Sequence, residues 1–169
     1  MLADWLAFPL LGGMLMIQSA IISRLTLLNG SGDLVLLALI AWALHERVRS
    51  ALAWLLVGGL LVGWVSGLPL LVPLVGYGMV VALARVIRRQ VWQIPLLAML
   101  FVTFWGTLIY HALTIVTLQF NGTSLTWAEA LTHVTLPSLF LNLIFAFPVY
   151  ALVNDLANWL YPETVVRHA

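Results

Sequence analysis

The sequence has no cysteine and no lysine, and only 8% of its 169 residues are charged. Lacking cysteine, it has no disulfides, thiol nucleophiles or thiolate metal sites. Lacking lysine, it draws all seven positive side chains from arginine. A soluble domain carries about 25% charged and about 45–50% apolar residues, whereas the apolar share here is 63%. So few charges cannot cover a water-facing fold of this size, so lipid is expected around most of the surface. A net charge of +1 gives no reason to expect a nucleic-acid partner. Catalytic signatures are missing too. There is no H-E-x-x-H, no G-x-S-x-G, no phosphate loop and no aspartate pair within the apolar runs. His45 and Glu46 are adjacent, which is the wrong spacing for a metal site on a helix. The expectation is a non-enzyme without cofactor or metal.

What is present comes in long apolar blocks. The run 94–118 has no formal charge, and at about 1.5 Å per residue it can cross a hydrocarbon core of about 30 Å. Blocks of this kind predict an all-α bundle of about six transmembrane helices in one domain, 1–169, with spans at 5–23, 34–44, 51–66, 68–84, 94–118 and 136–160. The first block follows Asp4 without a basic flank or a small-residue cleavage site, and reads as a retained span. The separators carry breakers: Asn29-Gly30-Ser31-Gly32, then 45–50, then Gly67-Leu68-Pro69, then 85–93 and the polar stretch 119–135. Block 34–44 covers only about 16 Å as a helix. It borrows flanking residues, lies between neighbours, or fails to cross.

Arginine placement gives the orientation. Arg47 and Arg49 follow the second span, and Arg85, Arg88 and Arg89 follow the fourth, so both basic loops share a side, which the positive-inside rule makes cytoplasmic. Both termini and Arg167 then lie inside; Arg24 and the loop 119–135 lie outside. Trp5, Trp42, Trp92, Trp127 and Trp159 fall near span ends, where indole favours the headgroup boundary, and Trp54 and Trp105 read as packing residues.

Four constellations stand out. Gly59, Gly63 and Gly67, at four-residue spacing, make a groove on one face of the third span. That groove serves internal packing or the docking of another protein's helix. Thr103, Thr107, Tyr110, His111, Thr114 and Thr117 form a polar stripe on the fifth span, within about 120° at about 100° per residue. This face turns inward or towards a partner, and His111 is expected to be the only ionisable group well inside a span, held neutral by Tyr110 or a nearby threonine. Asn142, between Pro137 and Pro148, is expected to bond carbonyls freed by the disturbed helix. Asp33, after Gly30-Ser31-Gly32, reads as an N-cap where the second helix enters the membrane.

Taken in order, Ile17-Gln18-Ser19, Asp33-Leu34-Val35-Leu36-Leu37, Gly58, Gly63, Ser66-Gly67, Pro69, Gly76-Tyr77, the arginine loop, Leu136-Pro137, Leu141-Asn142 and Phe147-Pro148-Val149-Tyr150 resemble the MreD family. That family is the membrane subunit of the bacterial cell-elongation machinery. One departure is visible: Trp64 stands where the family often has an aspartate before the Ser-Gly step. The resemblance implies a non-enzymatic inner-membrane scaffold that binds MreC and, with it, RodA, a penicillin-binding transpeptidase and MreB filaments. The glycine groove then makes the Gly59/Gly63/Gly67 face, or else the outer loop, the expected MreC contact. The layout is also similar to the substrate-binding subunits of energy-coupling-factor vitamin transporters. On that alternative, Tyr110, His111, Asn142 and the 119–135 loop would line a pocket for a small molecule.

Overall fold

A computed structural model describes residues 2–20, 30–90 and 94–162. Arg24, Trp92 and Arg167, which bear on the orientation of the chain, lie outside these residues. The described residues form six helical rods and no strands: α1 (Leu2–Ala20), α2 (Leu34–Leu44), α3 (Ala51–Val65), α4 (Leu71–Gln90), α5 (Pro95–Phe120) and α6 (Trp127–Leu160). Within α6 a short α-turn, Trp127–Glu129, leads into a π-helical stretch, Ala130–Thr135, and then into Leu136–Leu160.

Three helices, α4, α5 and α6, are long and apolar enough to cross a membrane, while α2 and α3 are apolar but shorter, at 11 and 15 residues. The loop expected over 119–135 shrinks to 121–126. Thr126 and Glu129 explain the difference. They form a reciprocal capping box, Thr126 accepting from the Glu129 N–H while the Glu129 carboxylate accepts from the Thr126 N–H. Such a box starts a helix even in a polar stretch.

The centre of the bundle is α2. All eleven of its residues are buried, and each of the other five rods packs against it. A helix that is apolar on every side has no solvent face and belongs inside. Of the three possibilities for 34–44, the structure adopts the one in which it lies between neighbours.

The C-terminal ends of α2, α4 and α6 meet at one end of the bundle. Arg88 donates to the His45 carbonyl at 3.0 Å, Arg47 donates to the Tyr161 carbonyl at 3.0 Å, and His45 lies 3.2 Å from Asn158. These arginines cap helix C-termini, where exposed carbonyls and the helix dipole favour positive charge. Arg49 lies on the same loop, and Arg85 and Arg89 lie in the last turns of α4. That helix continues to Gln90 through residues expected to separate two spans, because arginine is a good helix former and suits a helix C-terminus. Both basic clusters share one end of the bundle. The start of α1 joins them there, with Trp54 donating to the Ala3 carbonyl at 2.9 Å.

Two tryptophans depart from expectation. Trp42 is fully buried and stacked on Trp54, with ring centroids 3.9 Å apart. Because α2 has no outer face, its terminal indole cannot reach a boundary layer. Trp105 projects outwards from α5 instead of packing inside. Trp54 packs in the core, and Trp5, Trp127 and Trp159 are exposed.

Candidate functional site: a polar junction inside the bundle

Helix α2 starts in the middle of the bundle, not at its edge. Its 11 residues span about 16 Å, so Asp33 stands that far from the arginine end, level with the midpoints of α5 and α6. An amino-terminal turn leaves backbone donors without partners in its own helix. Side chains from four other helices build the junction around it. Asp33 accepts from the Leu36 N–H through Oδ1 at 2.9 Å, and Gln18 of α1 accepts from the Leu34 N–H at 2.9 Å. Asn142 of α6 accepts from the Asp33 N–H at 2.7 Å and donates through Nδ2 to Thr107 of α5 at 3.0 Å. Tyr77 of α4 donates its hydroxyl to Asp33 Oδ2 at 2.7 Å. Both carboxylate oxygens are used, and the charge sits at the positive end of the α2 dipole.

Close approach builds this junction. A Cβ on Gly30 would lie 2.5 Å from Pro137 Cβ and 2.6 Å from the Ser138 nitrogen. The missing side chain lets the loop press onto α6, where the Ser31 N–H donates to Ser138 Oγ at 2.9 Å. The π-helical stretch ends just before Pro137, a widened turn placed beside a residue that lacks an N–H. Gly76 does the same for α4 and α5. A Cβ there would meet the Tyr110 ring at 2.5 Å, and its absence lets the Tyr77 and Tyr110 rings pack with centroids 4.9 Å apart.

Asp33 is an N-cap, as its sequence context indicates, but it lies deep in the bundle and not at an entry point. His111 is therefore not the only interior ionisable group. Asn142 does not serve carbonyls freed by proline; it joins α2 to α5. Helix depth could not be read from the sequence, because the block 34–44 has the same composition whether it crosses, lies inside or stops short. Tyr77, Gln18 and Ser138 were missed as site residues for the same reason: each is a single polar residue in an apolar run, with no spacing that marks it.

The α5 stripe divides along its length. Thr103 and Thr107 are fully buried and Tyr110 nearly so. His111 and Thr114 are half-buried towards the opposite end, where His111 Nδ1 lies 3.2 Å from Thr135 Oγ1 and Thr114 donates to the Tyr110 carbonyl. With Leu68, Leu125 and Val134 they line a cleft of about 220 Å³.

The glycine groove on α3 is filled from within. A Cβ on Gly59 would meet Leu74 at 2.6 Å, and one on Gly63 would meet Leu70 at 2.6 Å, so α4 and the residue before it fill this face, which of the two readings of the groove is internal packing and not docking. Gly67 lies beyond the helix with φ +68, a turn residue and not part of a docking ridge. Among the described residues, no group of three His, Asp or Glu side chains could hold a metal ion.

Tyr77→Phe deletes one hydroxyl and leaves an oxygen of Asp33 unpaired. The expected cost is about 2 kcal/mol, read as a fall in melting temperature in detergent. A melting temperature equal to the wild type would show that this bond contributes nothing.

No known protein family, curated protein or solved structure matches this chain.

Proposed function

We propose that the chain is a multi-pass protein of the bacterial cytoplasmic membrane, with both termini and the arginine end inside, and that it works as a non-enzymatic, MreD-like scaffold of the cell-elongation complex. Its direct partner on this reading is MreC, and through MreC it joins RodA, the penicillin-binding transpeptidase and MreB during peptidoglycan synthesis. One observation carries the reading. Gln18, Asp33, Tyr77, Pro137 and Asn142, among the residues that bear the family resemblance, are scattered along the sequence yet converge on one junction. Asp33, Asn142 and Tyr77 spend their polar atoms there on bonds between helices. A body held together in this way has its outer surface to offer, which is what a scaffold uses.

The competing reading, a vitamin-like ligand site, rests on the cleft beside His111. Its volume of about 220 Å³ falls below the roughly 300–1,000 Å³ of small-molecule sites. Tyr110 packs on Tyr77, and Asn142 is committed to α2 and α5. The scaffold is the better fit.

Extraction of tagged protein from native membranes in mild detergent is expected to bring MreC with it. Absence of MreC, together with a rise of several degrees in melting temperature on adding a vitamin, would replace the scaffold with the ligand-binding reading. Bulk introduced at Gly63 does not test docking, since it strikes Leu70 first.

A further inference from the structure

The arginine end carries an uneven charge distribution. Arg85, Arg88 and Arg89 follow i, i+3, i+4 spacing and so share a face of α4. Arg88 is repelled by Arg85 and Arg89 and attracted by Glu46. One Arg88 N–H is spent on the His45 carbonyl, but a guanidinium has five donors. The Nε of Arg85 is buried with no partner, and such a donor carries an uncompensated desolvation cost. Three guanidiniums on one helix face, with Glu46 acting on Arg88 alone, leave an excess of positive charge that favours an anion, and phosphate matches their forked geometry.

The adjoining surface says what the phosphate is attached to. Arg88, Arg47, His45, Tyr150, Asn154, Asn158 and Ala98 line a polar cleft of about 180 Å³, with the Glu46 carboxylate also on its wall; Arg85 and Arg89 lie outside it on the same face of α4. Ala98 also lines a second, wholly apolar groove of about 520 Å³, formed by Ile87, Leu97, Phe101, Phe104 and Leu143. A polar cleft and an apolar groove meeting at one residue fit an amphiphile, with its headgroup at the arginines and a chain along α5. A free phosphate would fill the first and leave the second empty.

We propose that this juncture of α4, α5 and α6 is a binding site for an anionic phospholipid, its phosphate bonded by Arg88 at the cleft and drawn there by the added charge of Arg85 and Arg89 on the same helix face, and one acyl chain laid in the Leu97–Phe104 groove. The site rests on the membrane reading and is independent of the elongation complex.

The test uses the full chain in nanodiscs of phosphatidylcholine alone or mixed equally with phosphatidylglycerol, followed by detergent washing and native mass spectrometry. Wild type should retain phosphatidylglycerol at least about tenfold over phosphatidylcholine, a difference of about 1.4 kcal/mol. Arg89→Gln should weaken that preference by abolishing one charge. Leu97→Trp, at an exposed position, should block the groove and lower retention without touching the arginines, and its melting temperature in phosphatidylcholine discs should match the wild type. Glycerol 3-phosphate, which has the phosphate but no chain, should not displace the lipid. Equal retention of the two lipids, full retention by Leu97→Trp, or displacement by glycerol 3-phosphate each overturns the site. Failure of the wild type to enter any nanodisc overturns the membrane reading itself.

Discussion

Asp33→Ala is expected to destabilise the protein by about 3 kcal/mol, through loss of a helix cap and of two part-buried carboxylate bonds. For a chain of this length, that corresponds to a fall of about 6–12 °C in melting temperature. The carboxylate satisfies the Leu36 N–H and receives the Tyr77 hydroxyl, so its removal strands donors on two helices at once. Asp33→Asn keeps an acceptor for the Leu36 N–H, and its amide can turn towards the Tyr77 oxygen. It should cost about 1 kcal/mol. The ordering of the two variants is the informative result. If alanine and asparagine cost the same, the junction depends on charge and not on its hydrogen bonds. If neither lowers the melting temperature, the junction does not hold α2 in place.

Gly30→Val should be about as damaging, for a steric reason. The added atoms would meet Pro137 and the Ser138 backbone nitrogen, and a helix backbone cannot rotate aside as a side chain can. Overpacking of this kind costs about 1–3 kcal/mol, and the upper end is expected because the contact is with main chain. Gly67→Ala is the comparison. A Cβ added at Gly67 would meet nothing within 4 Å, but the residue has a φ of +68, so only the left-handed backbone is penalised, at about 1 kcal/mol. Melting temperatures in the same detergent should rank Gly30→Val well below Gly67→Ala. The reverse ranking would mean that the loop does not press on α6.

The sequence made the number of helices readable, because breakers such as Gly67-Leu68-Pro69 interrupt uniform apolar runs, but the arginines at 85–89 did not end the fourth helix, which runs on to Gln90. It also pointed to the N-cap at Asp33, since an acid after a glycine-rich turn and before a leucine run has few other uses. Depth was not readable. The length and all-round apolarity of 34–44 were the available signals, and they hold equally for a short crossing and for a buried core. Trp42 followed from that ambiguity: near a helix end it reads as a boundary residue, and only the burial of α2 makes it a core residue. The glycines at 59 and 63 announced a close approach, but spacing within one helix does not say which helix approaches. The helical start at Trp127 needed the Thr126–Glu129 pair, four positions of local chemistry within a polar stretch otherwise typical of a loop.

The burial of α2 also sets an order on how the chain can be assembled. Its amino-terminal donors wait for Asn142, and its last residues wait for Asn158, both more than a hundred positions later. Until α6 is synthesised, the carboxylate of Asp33 can already hold the Leu36 N–H and the Tyr77 hydroxyl, but the Asp33 N–H lacks its Asn142 acceptor and the helix end lacks Asn158. A chain cut short before α6 therefore leaves an unpaired backbone donor inside a half-built bundle, the kind of flaw by which a membrane protease can tell a fragment from a finished protein.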